Sequence, residues 1–208
     1  MNKIKVLLIE DQVLTRIGIK TILGECAEIM VVGEAASIAA GLALSRELTP
    51  DVTLLSLRFA DVCAVDFIDE FLAIVPKTKI IIFAAQAGDA EITRSLERGA
   101  SGYVLKDVSA EELIRAILVV NRGKKYVPER IAKILLENQG SEDLTNSEQR
   151  ILGMIVEGNS NKEIAAQLAV TENTVKTHVK NILAKLGVDD RTSAATAAIK
   201  RGLVRVDI

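Results

Sequence analysis

The stretch "PDVTLLSLRF", residues 50–59, is an almost unbroken run of apolar and β-branched side chains that passes through Ser56. Such a run is typical of a strand covered on both faces, because an exposed face would make every second residue polar. Four similar runs occur elsewhere in the first 122 residues. They are "KVLLI" (5–9), "MVVGEA" (30–35), "KIIIFAA" (79–85) and "GYVLK" (102–106). The sequence therefore predicts five buried strands.

Amphipathic segments lie between and after these strands. They are "TRIGIKTILG", "SIAAGLALSREL", "VDFIDEFLAIV", "DAEITRSLERG" and "SAEELIRAILVVNRG". Their apolar residues follow the i, i+3, i+4 spacing of helices that cover a sheet. The regular alternation of strand and helix predicts an α/β domain over residues 1–123, with a doubly wound parallel sheet.

The pattern changes after residue 123, where no further strand is predicted. Residues 124–143 are interpreted as a linker that contains a helix near 128–138. Residues 144–208 are predicted to form a second, all-α domain of four helices. The predicted helices span 147–157, 161–168, 174–186 and 191–201.

The composition limits the classes of protein to consider. The 208 residues are 49% hydrophobic and 26% charged, which is typical of a folded chain. We expect a cytoplasmic protein without a membrane partner, since no run of about 18 apolar residues and no leader pattern is found. Cys26 and Cys63 lack metal-ligand spacing, so we expect reduced core thiols and no metal site. The net charge of −2 gives no general indication of nucleic-acid binding.

Residues 158–188 read as a helix, a short turn and a second helix. The apolar stripe of the second helix is Val175, Val179, Ile182, Leu183 and Leu186. We therefore expect Lys176, Thr177, Lys180, Asn181 and Lys185 to lie outside the core. Residues 174–186 contain no acid, although residues 141–208 carry nine basic and nine acidic side chains. Charge alone supports an ordinary solvated face and a DNA-binding face equally.

Residues 144–200 closely resemble the C-terminal DNA-binding domain of the LuxR/NarL family. The motifs are LT-x-x-E, G-x-S-N-K-E-I-A, T-E-N-T-V-K-x-H-V-x-N-I-x-x-K-L and R-T-x-A. The resemblance implies that Lys176, Thr177 and Lys180 enter the major groove of double-stranded DNA. It also implies phosphate contacts, which we assign to Asn161, Lys162, Thr171 and Thr174 with the N-terminal amides of the two helices. His178, the only histidine, is expected to be a structural residue or a phosphate contact.

The same resemblance implies dimerisation through the last helix. The segment "TSAATAAIKRGLV" offers small residues that permit close helix packing. A homodimer with two-fold symmetry implies an inverted-repeat operator. A cognate sensor or another regulatory protein is a further possible partner.

Residues 3–123 resemble the receiver domain of bacterial response regulators. The matching segments are "LLIEDQ", "PDVTLLSL", "IIIFAAQ" and "GYVLKD". The resemblance implies a flavodoxin-like sheet of order 2-1-3-4-5 with its site at the carboxyl ends of the strands. In such receivers an acidic pair and an aspartate hold Mg²⁺, and that aspartate accepts phosphate from a histidine kinase. A hydroxyl residue and a lysine then bind the phosphoryl oxygens.

Two of these positions differ here. Glu10 and Asp11 match the acidic pair and Lys106 matches the lysine, but Ser56 replaces the phosphoacceptor and Ala84 replaces the hydroxyl residue. A serine hydroxyl needs a base to act as a nucleophile, and this domain has no histidine. With one carboxylate lost, we expect weak or absent Mg²⁺ binding and no other cofactor.

Two further features depart from a working receiver. Phe59 and Ala60 replace the Met-Pro pair that usually follows the phosphoacceptor, and Tyr103 matches the family's rotating aromatic without its hydroxyl trigger. Lys106 is then free to form an ion pair with Asp11 or Glu10.

The resulting hypothesis is a DNA-binding transcription regulator whose first domain is a pseudo-receiver, independent of aspartyl phosphorylation. The alternatives are phosphorylation of Ser56, a ligand or partner at the first domain, oxidation of Cys63, and an antagonist that acts by heterodimerisation. An enzyme is not expected. No G-x-G-x-x-G or G-x-x-x-x-G-K-[ST] motif follows the first strand, and no base accompanies the serine.

Overall fold

The computed structural model describes residues 3–60, 62–86, 88–137 and 144–204. The chain forms two compact units. One comprises Met1–Gln86 with Ile92–Ala132, and the other comprises Ala87–Glu91 with Lys133–Ile208. Of the described helices, none is both long and apolar enough to span a membrane.

The first unit is built on a five-stranded parallel sheet. Its strands are β1 (Ile4–Ile9), β2 (Ile29–Ala35), β3 (Val52–Ser56), β6 (Lys79–Ala84) and β7 (Gly102–Leu105). Their order in the sheet is β2-β1-β3-β6-β7, with every pair parallel. This is the predicted order 2-1-3-4-5, so the predicted fold class is confirmed.

Helices lie between the strands and after the last of them, as the amphipathic segments and the predicted linker helix indicated. The bounds are α1 (Val13–Gly24), α2 (Ile38–Leu48), α3 (Ile68–Ile74, after a 3₁₀ turn over Ala64–Phe67), α4 (Asp89–Glu97), α5 (Ala110–Asn121) and α6 (Glu129–Glu137). Ile19 and Leu23 of α1 share one buried cluster with Leu113 and Ile117 of α5. The strands contribute to this cluster through alternate residues, because successive side chains of a strand point to opposite faces.

A two-stranded hairpin follows β3 and was not predicted. It consists of β4 (Arg58–Phe59) and β5 (Val62–Cys63), which pair antiparallel. Ala60, at its turn, has a φ of 36°, in the left-handed region that non-glycine residues seldom adopt. Two-residue strands give no alternation that a sequence pattern can show. Cys63 is buried here, and both cysteines are free thiols.

The second unit contains the predicted helical domain. Its helices are α7 (Asn146–Val156), α8 (Asn161–Leu168), α9 (Glu172–Leu186) and α10 (Arg191–Lys200). All four predicted helices are found, with ends that differ by at most two residues. Val175 and Ile182 are fully buried in the core of this unit, and Val179, Leu183 and Leu186 pack against it. The predicted apolar stripe of the second helix is therefore confirmed.

Candidate functional site

The sheet register brings together the candidate residues of the receiver-like site. Ile9 pairs with Leu55, Ser56 pairs with Phe83, and Ala84 pairs with Leu105. Glu10, Ser56, Ala84 and Lys106 therefore follow or end neighbouring strands at one edge of the sheet. This edge is the carboxyl end of a parallel sheet, where α/β folds place their ligands.

An ion pair occupies the middle of this edge. The Nζ atom of Lys106 lies 2.7 Å from Oε2 of Glu10, whose side chain is fully buried. The other carboxylate oxygen, Oε1, accepts a hydrogen bond of 3.1 Å from the backbone N–H of Gln12. Lys106 is fixed further by its backbone N–H, which donates to the carbonyl of Ala84 at 2.7 Å. The sequence left the partner of Lys106 open, and the structure shows that it is Glu10.

Asp11 differs from its neighbour. It is half-buried, and its carboxylate makes no hydrogen bond or ion pair with any described residue. The nearby Arg16 guanidinium is directed to backbone oxygens, at 2.6 Å from that of Glu10 and 3.3 Å from that of Asp11. Asp11 is thus an acid in the β1–α1 loop that keeps its oxygens available.

Ser56 is buried, with 2% of its surface exposed. Its hydroxyl donates to the backbone carbonyl of Arg58 at 3.3 Å, within the turn that leads into the hairpin. Phe59, which replaces the usual methionine, is also buried. The hydroxyl therefore has an acceptor in its own loop, and solvent has little access to it.

Ala84 and Tyr103 complete the receiver-like positions. Ala84 is buried and offers only a methyl group at the end of β6. Tyr103 is fully buried, and its hydroxyl donates to the carbonyl of Gln86 at 3.3 Å. Among the described residues, no group of three or more His, Cys, Asp or Glu side chains is placed to hold a metal ion.

The exposed face of α9 carries the candidate DNA-reading residues. Lys176, Thr177, Lys180 and Asn181 are all exposed. Lys176 forms an ion pair of 3.1 Å with Glu172 one turn earlier. Exposed pairs of this kind contribute little, roughly 0.3–0.5 kcal/mol, so Lys176 can exchange this partner readily. Thr177 is exposed, and its hydroxyl donates to the carbonyl of Asn173 at 3.0 Å.

The N-termini of α8 and α9 are capped by side chains. Ser160 and Glu163 form a reciprocal capping box on α8, with the Glu163 carboxylate 2.6 Å from the backbone N–H of Ser160. Thr171 caps α9 by accepting from the backbone N–H of Thr174 at 3.1 Å, and their two hydroxyls lie 2.8 Å apart. The predicted phosphate contacts Thr171 and Thr174 are therefore paired with each other.

Asn161 and Lys162 begin α8. The Oδ1 atom of Asn161 accepts from Arg191 at 3.1 Å, which ties the start of α8 to the start of α10, and Arg191 also donates to the carbonyl of Asn159. The side-chain amide N–H groups of Asn161 remain available as donors, and Lys162 is exposed. His178 is half-buried, and its Nδ1 has no hydrogen-bond partner among the described residues.

Sequence reasoning missed a buried pair that fixes α9. Lys185, expected outside the core, is part-buried, and its Nζ lies 2.9 Å from Oε2 of the buried Glu148. The same oxygen accepts from the backbone N–H of Thr145 at 2.8 Å, so Glu148 serves both the capping box of α7 and the ion pair to α9. Burial alone raises the pKa of Glu148, but the hydrogen bonds from Lys185 and Thr145 outweigh it and lower the pKa overall.

Comparison with known protein families gives two matches. Residues 6–118 match the response regulator receiver domain, and residues 142–198 match the bacterial regulatory proteins of the luxR family. Together the two matches account for most of both compact units.

Three proteins resemble the whole chain. The response regulator protein VraR of Staphylococcus aureus is 37% identical over 207 residues, covering 97% of this chain and 99% of VraR. The crystal structure of ChrA, a response regulator of a heme-sensing two-component system, is 31% identical with a TM-score of 0.58, covering 98% of this chain and 100% of ChrA. A structure of two RcsB dimers bound to two parallel DNAs has a TM-score of 0.73 at 24% identity, covering 96% of this chain and 99% of RcsB.

Proposed function

The chain belongs to the bacterial response regulators in which a receiver domain precedes a luxR-family regulatory domain, and we propose that it regulates transcription by binding double-stranded DNA, without control by aspartyl phosphorylation. The observation that carries the proposal is the contrast between an outward-facing basic helix and a receiver site without a phosphoacceptor. A regulator of this kind would act in the cytoplasm, where the bacterial chromosome lies, and would catalyse no reaction.

The geometry of α9 supports base reading. Lys176, Thr177 and Lys180 lie within one and a half turns on the exposed face, and the core fixes the opposite face. An α-helix fits the major groove, where lysines donate to guanine O6 and N7 and a threonine methyl contacts the thymine methyl. We propose that Lys162 and the amide of Asn161, at the start of α8, contact phosphates and set the register.

We propose that a homodimer binds an inverted-repeat operator. On α10, Ala194 and Ala198 are buried, whereas Thr192, Thr196 and Ile199 are exposed along its other side. Ile199 is 49% exposed, which is high for an isoleucine on an otherwise small-residue face. A two-fold pair of these faces would bury it and present two copies of α9 to successive major grooves.

The chemistry of the receiver-like site supports phosphorylation independence. A phosphoryl group needs a nucleophile, a metal and donors for its oxygens, and here Ser56 has no base and Ala84 has no donor. Mg²⁺ does not fit the residues present either. Glu10 is neutralised by Lys106, and Ser56 contributes no charge, so Asp11 is the one anion among the described residues of the site that has no cationic partner.

Other inputs find less support. Phosphorylation of Ser56 would require a kinase to reach a residue that is 2% exposed, and oxidation of Cys63 would have to reach one that is 1% exposed. An antagonist that acts only by heterodimerisation would not need the basic face of α9. A cognate sensor that acts by contact rather than by phosphotransfer is compatible with the same site.

The proposal is tested with the full chain and a pool of genomic DNA fragments. Bound fragments are sequenced after selection by untreated protein and by protein incubated with acetyl phosphate and Mg²⁺, and the intact mass of both samples is measured. We expect enrichment of a common inverted repeat by both samples, with equal affinity and no mass gain.

Two other results would contradict separate parts of the proposal. Absence of any enriched sequence would contradict DNA recognition, provided that far-ultraviolet circular dichroism shows a folded protein. A phosphate adduct that strengthens binding at least about tenfold, a change of roughly 1.4 kcal/mol, would contradict phosphorylation independence alone.

A further inference from the structure

A pocket lies beside the receiver-like site, within the first unit. It has a volume of about 450 Å³ and is lined by Asp11, by residues 36–39 and Leu42 at the start of α2, by Phe59, Ala60 and Val62 of the β4–β5 hairpin, and by Phe67. Eight of its ten lining residues are apolar, among them Leu42, Phe59 and Phe67. We propose that this pocket binds a small organic amine with an aromatic or other flat apolar body.

The size and lining of the pocket define the body of the ligand. Binding sites for small molecules commonly measure about 300–1,000 Å³ and are lined mainly by apolar and aromatic side chains. Phe59 is buried, Phe67 is half-buried and Val62 is exposed. The pocket is therefore closed at Phe59 and open to solvent at Val62. A rigid ring system of two or three rings would lie with one face against these side chains and the other towards solvent.

The polar residues of the pocket define the head group. Asp11 is the only charged residue among the described residues that line it, and its carboxylate has no partner there. The guanidinium of Arg16 contacts the backbone oxygens of the β1–α1 loop and the carboxylate of Glu34. An ammonium group beside Asp11 would therefore be attracted, and a carboxylate would be repelled.

Ser37 supplies a second polar point on the same wall. Its oxygen caps α2 by accepting from the backbone N–H of Ala40 at 3.3 Å, so its hydroxyl hydrogen is left to donate to a ligand. Charge and shape thus favour one chemical class, an apolar amine.

The test uses three probes that share one ring system and differ in charge. They are 9-(aminomethyl)anthracene, 9-anthracenemethanol and 9-anthracenecarboxylate, titrated with the full chain in EDTA so that no divalent cation neutralises Asp11. Binding is followed by fluorescence anisotropy, and the site is located by chemical shifts of backbone amides. We expect the amine to bind with a Kd below about 1 mM, the alcohol at least about fivefold more weakly, and the carboxylate more weakly still.

Variants separate this pocket from other sites. Ala39→Trp fills the pocket and should abolish binding of the amine, whereas Ala43→Trp, on the same helix but outside the pocket, should leave it unchanged. Asp11→Asn should remove the preference for the amine over the alcohol. Failure of the amine to bind, or equal binding by Ala39→Trp, would overturn the proposal, as would shift changes that map to an interface with a second copy or to another surface.

The amine would bind to the first domain whether or not the chain binds DNA, and only a regulatory role of that binding rests on the proposed function. Binding of the amine does not require DNA, so its outcome is separate from the fragment selection. A positive selection with no amine binding would leave the proposed function standing and remove this pocket as the ligand site.

Discussion

The receiver-like edge of the sheet and the exposed face of α9 use charge in opposite ways. At the sheet edge, the cation of Lys106 is turned inward onto the fully buried Glu10. On α9, Lys176 and Lys180 project outward, and among the described residues the one ion pair on this face is the exposed pair of Lys176 and Glu172. Lys106 is thus neutralised inside the protein, whereas Lys176 and Lys180 remain accessible to a binding partner.

The difference teaches that matching residue types do not establish a matching activity. Lys106 and Glu10 both fit the receiver pattern, and in this structure they are paired with each other. Lys176 and Lys180 of α9 pair with no buried acid among the described residues, because they lie opposite the buried Val175 and Ile182, whereas Lys185, near the end of the helix, pairs with Glu148. The same residue type is therefore structural in one region and available in the other.

The largest effect is expected from breaking the buried ion pair between Glu10 and Lys106. Lys106→Met leaves the Glu10 carboxylate buried without its cation, and we expect the free energy of unfolding of the first unit to fall by about 3–5 kcal/mol. Denaturation is followed by tyrosine fluorescence, which reports on this unit alone because Tyr103 and Tyr126 are the only tyrosines. The exposed Lys124→Met is the matched control and should change stability by less than about 0.5 kcal/mol.

The double variant Glu10→Gln with Lys106→Met shows whether the loss comes from the unpaired charge. It should recover most of the lost stability, because replacing both partners removes the buried charge. A single Lys106→Met variant as stable as the wild type would show that Lys106 is not needed inside the site. The contrast with α9 would then be lost.

The sequence predicted the sheet well and the partners of long side chains poorly. The five apolar runs between amphipathic segments were enough for the strands, and the receiver resemblance was enough for their order. The partner of Lys106 stayed open because Glu10 and Asp11 are adjacent and both follow β1. Lys185 was expected outside the core, because helical periodicity places a Cα on a face but does not say where a four-carbon stem carries its charge.

The buried pair in the second unit is expected to have the next largest effect. Glu148→Gln weakens the bond to Lys185 and the capping box with Thr145, so α7 and α9 should lose about 2–3 kcal/mol of stability at pH 7. The measurement is hydrogen exchange of the backbone amides of these two helices. Glu157→Gln, at the exposed end of α7, is the control.

The same variant gives a pH dependence with a defined sign. Because folding lowers the pKa of Glu148, the stability from this carboxylate is present above the ordinary glutamate value of about 4.3 and is lost as the pH falls through the lower folded value. The wild-type second unit should therefore lose more stability below about pH 4 than Glu148→Gln does. Parallel curves for the two proteins would exclude this carboxylate as the cause.

The exposed face is tested by Lys180→Ala. We expect DNA affinity to fall by about 1–3 kcal/mol and the preference for the enriched sequence to relax, if Lys180 contacts a base edge. Lys133→Ala removes the same charge from α6 and should have little effect. An unchanged affinity and sequence preference in Lys180→Ala would show that Lys180 does not contact DNA. The contrast between the paired Lys106 and the accessible lysines of α9 would then have no functional consequence at this residue.

The smallest expected effect comes from restoring the missing charge. Ser56→Asp places a third carboxylate at the strand ends beside Glu10 and Asp11, where anion repulsion favours a divalent cation. At a Mg²⁺ concentration ten times its Kd, the first unit should gain about 1.4 kcal/mol of stability, seen as a rise in Tm by tyrosine fluorescence. The wild type should show no rise, and neither should Ser101→Asp, which adds a charge at the amino end of β7. A Mg²⁺-dependent rise in Tm of the wild type would mean that the Glu10–Lys106 ion pair opens to admit the metal. The charges of these two residues would then be as accessible to a partner as those of Lys176 and Lys180 on α9.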